Sequence, residues 1–190
     1  MENFEKNEKT FIVKVLEYYL FFYAFISLSV FVIPHDILDK SQICSNFVNF
    51  MKQFFPNIEV FQSISPLPQL TAFYTSFMWV WGIILLIICF IVFFVGTKKI
   101  KDTINNYSVW FGLCGFLGFI GLYQYFTGEM AINGVSFGAK KIHLTFDTEL
   151  EIFVPITFFQ FGFSFMFLIM PLTFYILFLK IKNYFKEINK

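Results

Sequence analysis

Long apolar runs separated by short polar segments set the pattern of this chain. The runs Val15–Ile33, Phe61–Thr97, Thr103–Gly128 and Ile152–Leu179 carry one charged residue between them, Glu17. Each reaches the roughly 18 residues that mark a membrane-crossing helix. At about 1.5 Å rise per residue, some 20 residues cross a hydrocarbon layer of about 30 Å. The pattern therefore predicts an all-α integral membrane protein, a bundle of four transmembrane helices in a single domain, 1–190. The spans are expected at about 15–33, 71–96, 106–126 and 153–179, with loops at 34–70 and 127–152.

The loops carry their own signals. Pro34 ends the first span, because its ring and missing N–H stop a helix. NFVNFMKQFF (46–55) sets Phe47, Phe50, Met51 and Phe54 at i, i+3, i+4 and i+7. That spacing predicts a short amphipathic helix lying on the membrane–water boundary. Pro56, Pro66 and Pro68 punctuate the return, and Trp79 and Trp81 stand where ring side chains favour the interface. In the second loop, Asn133-Gly134 between short alternating runs predicts a small β-hairpin. Ile142, Leu144 and Phe146 continue as a candidate third strand. The acids of DTELE (147–151) precede the fourth span, where a helix N-terminus favours negative charge. Pro155 falls in that span's first turn, and Pro171 should free the carbonyl of Phe167 and bend the helix.

Charge gives orientation. Every basic residue is lysine. Lys6, Lys9, Lys14, Lys98, Lys99, Lys101, Lys180, Lys182, Lys186 and Lys190 fall on one side; Lys40, Lys52, Lys140 and Lys141 fall on the other. The excess of positive charge inside puts both termini in the cytoplasm of a multi-pass protein of the bacterial inner membrane, with both long loops outward. The acids Glu2, Glu5 and Glu8 before the first run, and the missing small-x-small site after it, predict that it is retained as a span. Only 14% of residues are charged, against about 25% in soluble domains, and 57% are hydrophobic. A net charge of +1 without a basic patch gives no case for nucleic acid.

Residues that carry chemistry are sparse. Cys44, Cys89 and Cys114 show no CxxC spacing, and His35 and His143 belong to no metal-spaced cluster. His35, Asp36 and Asp39 are the nearest approach to a ligand set. Glu17 lies one turn from the boundary beside Lys14, which suits a local pair. The other three spans hold no acid, lysine or histidine, and their polar residues are hydroxyls and amides such as Gln124 and Gln160. The expectation is a protein that is not an enzyme, with no cofactor, no metal and no titratable relay for transport.

One motif stands out. GLCGFLGFIG (112–121) places Gly112, Gly115, Gly118 and Gly121 at every third position, although each glycine costs a water-soluble helix roughly 1 kcal/mol relative to alanine. In lipid, apolar area gives little drive for helix association, and close packing takes over. These glycines wind a shallow groove around the third span. Phe161, Gly162 and Phe165 in FFQFGFSFMF (158–167) set knobs beside a hole. Either the span's own neighbours or a helix of another protein can fill the groove, and these seven residues are the candidate partner-binding set.

SISPLPQLTAFYTSF (63–77), KKIKDTINN (98–106) and MPLTFYILFLKIK (170–182) carry a resemblance. Together with the four-span layout, the inward termini and the two outer loops, they resemble the colicin A-type immunity proteins. Those proteins guard the bacterial inner membrane against pore-forming colicins. The resemblance implies a plasmid-borne bacteriocin immunity function. The protein would bind the membrane-inserted helices of a cognate toxin's pore-forming domain and block channel opening, with the lipid bilayer as its surroundings. The competing expectation is a non-catalytic accessory or scaffold subunit held by neighbouring subunits of a larger membrane complex, such as a respiratory one.

Overall fold

A computed structural model describes residues 17–95, 120–137, 140–142 and 145–164, with isolated positions at 14, 178 and 181. Its elements in chain order are α1 (Glu17–Phe31, the last turn 3-10), α2 (Ile37–Lys40), α3 (Gln42–Lys52), α4 (Asn57–Ile64), α5 (Pro68–Val95), α6 (120–127), α7 (Glu129–Asn133), β1 (Val135–Phe137), β2 (Lys140–Ile142) and α8 (149–164).

α5 is the axis. Leu70, Ala72, Tyr74, Met78, Trp79 and Leu85 along it are buried, and the other helices pack around them. Its hydroxyls fold back on its own turns: Thr75 Oγ1 donates to the Thr71 carbonyl and Ser76 Oγ to that of Ala72, both at 2.7 Å. Such back-bonding satisfies a buried hydroxyl without a partner helix.

The first loop is mostly helical. Ser41 caps α3 by accepting from Cys44 N–H at 3.4 Å. Val48 and Met51 of α3, with Ile58 and Phe61 of α4, are buried in the core. The second loop packs on the first. Phe146 is buried with its ring 4.9 Å from that of Phe61, and its carbonyl accepts from Ser65 Oγ at 3.1 Å. The expected pair of separate outward loops is therefore one joined cap over the start of α5. At the α6–α7 junction Gly128 adopts φ +80°, a conformation that favours glycine.

Several expectations are corrected. Among the described residues, a single stretch, Pro68–Ile88 of α5, is long and apolar enough to cross a membrane, and half of it is buried within the protein. The four-span bundle therefore does not stand. Hydropathy sums composition across breaks that the backbone makes. The first apolar run closes in a 3-10 turn at Leu28–Phe31, and its described part, Glu17–Phe31, is shorter than the roughly 18 residues a span requires. The expected spans at 106–126 and 153–179 fall in large part outside the described residues, as do Cys114, His143, Leu144 and Pro171.

Asn133-Gly134 does not turn a hairpin. Gly134 caps α7 with φ +71° and donates to the Met130 carbonyl at 3.0 Å. The left-handed geometry that suits a hairpin turn equally suits a helix C-cap. The strands pair antiparallel just beyond, Val135 opposite Ile142 and Phe137 opposite Lys140. Phe146 joins the core and is not a strand residue. Trp79 is also displaced from its expected interface position. It is fully buried, stacks on Phe55 at 4.1 Å, and donates Nε1–H to Asn57 Oδ1 at 3.1 Å. Because α8 begins at 149, Pro155 lies in its second turn.

Candidate functional site: a hydroxyl seam and its uncovered outer face

α1, α5 and α8 meet along a seam of hydroxyls. Tyr74 OH donates to the Ser27 carbonyl of α1 at 2.8 Å and lies 2.7 Å from Thr157 Oγ1 of α8. A phenol has one proton to give. With that proton on Ser27, the hydroxyl of Thr157 is the donor to Tyr74. Tyr23 OH reaches the Thr157 carbonyl at 3.4 Å, and Tyr19 OH donates to the Trp81 carbonyl at 2.7 Å. These bonds cross between helices and tie α1, α5 and α8 together.

Further along, α8 touches the backbone of α5. Ser164 Oγ donates to the Gly82 carbonyl at 2.7 Å. The side chain of Gln160 lies over Gly82 so closely that a Cβ there would stand 2.5 Å from Nε2 and 2.8 Å from Cγ. Gln160 is fully buried; its Oε1 accepts from Tyr125 OH at 3.4 Å, while Nε2 has no partner among the described residues. Tyr125 stacks on Phe159 at 5.3 Å, which fixes the ring beside the amide.

Small polar side chains share the inward sides of these helices with apolar ones such as Val30, Met78 and Ile156, and the outward sides carry large apolar side chains as well. Thr157, Gln160 and Ser164, at i, i+3 and i+7, put small polar groups on the inward side of α8, where Gln160 and Ser164 are buried. Leu150, Val154 and Phe158 stand exposed on its other side. α1 buries Tyr23 and Ser27 while Tyr18, Phe21, Phe25, Leu28 and Val32 are uncovered, Phe21 at 77% and Val32 at 83%. α5 buries Thr71, Thr75 and Ser76 and exposes Ile83, Ile87 and Ile91.

The candidate partner-binding residues separate on the structure. Phe161 turns partly inward, its ring 5.9 Å from that of Tyr23. Gly121 and Gly162 stand clear of the described residues, none of which lies within 4 Å of where a Cβ would be. Gly112, Gly115, Gly118 and Phe165 lie outside the described residues. Among the described residues, the glycines pressed closely by a neighbour are Gly82 and Gly128, and neither belongs to the repeat. The usable signal was the Thr157, Gln160, Ser164 stripe, a polar face on a helix otherwise all apolar.

The suggested ligand set is dispersed. His35 Nε2 pairs with Glu149 Oε1 at 2.8 Å, Asp36 with Lys40 at 2.8 Å, and Asp39 accepts from Gln69 Nε2 at 2.6 Å. The hydrogen bond from Lys40 holds the Asp36 carboxyl below its ordinary range. Each group thus has a different partner, and among the described residues no three His, Cys, Asp or Glu side chains could hold a metal.

No protein-family model, curated protein or solved structure matches this chain.

Proposed function

We propose that this chain is a membrane-inserted binding protein without a reaction of its own, anchored through α5, and that it serves as an immunity protein against a pore-forming bacteriocin. The uncovered apolar side chains of α1, α5 and α8, on helices whose hydroxyls and amides turn inward beside the apolar core, support the membrane reading. In water each such uncovered side chain forgoes about 1.5–3 kcal/mol of burial. Continuous apolar surface of this kind belongs against lipid or a partner. The immunity function rests on the resemblance of 63–77, 98–106 and 170–182, and on the open notch at Gly162 flanked by aromatic rings. A toxin helix laid into that notch would be held in its closed arrangement within the bacterial inner membrane.

Expression in a colicin-sensitive bacterium, challenge with a panel of pore-forming toxins, and a potential-sensitive dye test this reading. Retained polarisation with one toxin is the expected result. Depolarisation by every toxin of the panel removes the immunity function. Release of the protein from membranes by alkaline carbonate removes the membrane reading itself.

A further inference from the structure

α3 has three sides, and the protein covers one of them. Val48 and Met51 face the core and are buried, while Gln42, Asn46, Asn49 and Gln53 form an exposed polar side. Between these lies a third side at i, i+4, i+7 and i+11, formed by Ile43, Phe47, Phe50 and Phe54 of α3 and the turn that closes it. Ile43 is 81% exposed, Phe50 56% and Phe54 55%. Phe47 is half-buried and begins a run of ring contacts: 6.2 Å to Phe73, then 6.1 Å from Phe73 to Phe77, 6.2 Å from Phe77 to Trp81 and 5.5 Å from Trp81 to Phe22. The uncovered side of α3 therefore continues down the flank of the candidate span into the exposed face of α1.

We infer that this side of α3 docks on the lipid bilayer itself, at the boundary of headgroups and acyl chains, and fixes how deeply α5 sits. A helix lying flat at that boundary needs one side toward protein, one toward hydrocarbon and one toward water, and α3 has all three in that order around its axis. Phe73 lies in the second turn of α5 after its start at Pro68, which sets α3 level with the end of the span. Lys40 is paired with Asp36 and no cation stands on the apolar side, so the contact is with the acyl boundary and requires no anionic headgroup. This deepens the membrane reading proposed above and rests on it.

The test uses the full chain in phosphatidylcholine vesicles, with Cys44, Cys89 and Cys114 replaced by alanine. A nitroxide is attached at F50C, F54C, N46C, Q53C or I87C in separate variants. Collision rates with oxygen, which enters lipid, and with a nickel chelate, which stays in water, report where each label lies. The expected result is oxygen preference at 50 and 54 and nickel preference at 46 and 53. Nickel preference at 50 and 54, or shielding there from both reagents by a second copy or another protein, overturns the inference. The label at 87 separates the two failures: oxygen preference there with nickel preference at 50 leaves α5 inserted and refutes only the docking of α3, whereas nickel preference at 87 refutes insertion.

Discussion

Gln160 lies across Gly82, its amide and Cγ filling the space that a side chain on α5 would take. The hydrogen bond from Ser164 to the Gly82 carbonyl at 2.7 Å seals the same contact one turn on. The close approach of α5 and α8 at this point depends on a single absent methyl group. Gly82→Ala is expected to cost about 1–3 kcal/mol, the usual penalty for overpacking. Because the three atoms nearest an added Cβ all belong to Gln160, the double variant Gly82→Ala with Gln160→Ala should lose less than the two single losses combined. Unfolding midpoints in mixed micelles measure both, and strict additivity would show that the contact is not the cause.

Tyr74 joins three helices through one hydroxyl. Tyr74→Phe leaves the Ser27 carbonyl and the Thr157 hydroxyl without their partner, for an expected loss of about 1–2 kcal/mol. Thr157→Val in the same background removes one stranded group and should add little. A Tyr74→Phe protein as stable as the parent would mean that the seam contributes nothing.

Gly128 combines two constraints, a φ of +80° and Val60 Cβ only 2.6 Å from an added Cβ. Gly128→Ala should cost about 2–4 kcal/mol from left-handed backbone strain and overpacking together. Val60→Ala as a second change relieves the contact and leaves the backbone part. Complete rescue by that change would assign the whole effect to crowding.

Gly162 makes the opposite case, since no described residue lies near its missing side chain. Gly162→Leu should leave the unfolding midpoint at or above that of the parent, helped by up to about 1 kcal/mol of helix propensity. It should nonetheless abolish protection against the cognate pore-forming toxin. Intact protection by the stable variant would show that the notch is not where a toxin helix lies.

Much of the local structure was legible in the residues. Pro34 closes the first helical segment, and the apolar run after Pro68 is one long helix. The expected site was less legible, because glycine spacing reveals where backbones can approach and not where they do. Gly121 stands clear of the described residues while Gly82, outside any repeat, carries a close contact. Asn133-Gly134 was expected to turn a hairpin, yet Gly134 closes α7 instead, because a glycine with positive φ can end a helix as well as form a turn.

By itself the sequence determined the apolar character of the chain and its proline breaks, since these depend on neighbouring residues alone. Tertiary structure decided which side of each helix faces inward, that Phe146 and Phe61 join the two loops, and that Met51 of α3 turns to the core while Phe50 and Phe54 stay outside. Periodicity separates apolar from polar. It cannot separate an apolar side covered by protein from one left for lipid, because lipid tails are as apolar as the leucines and phenylalanines that would otherwise cover it.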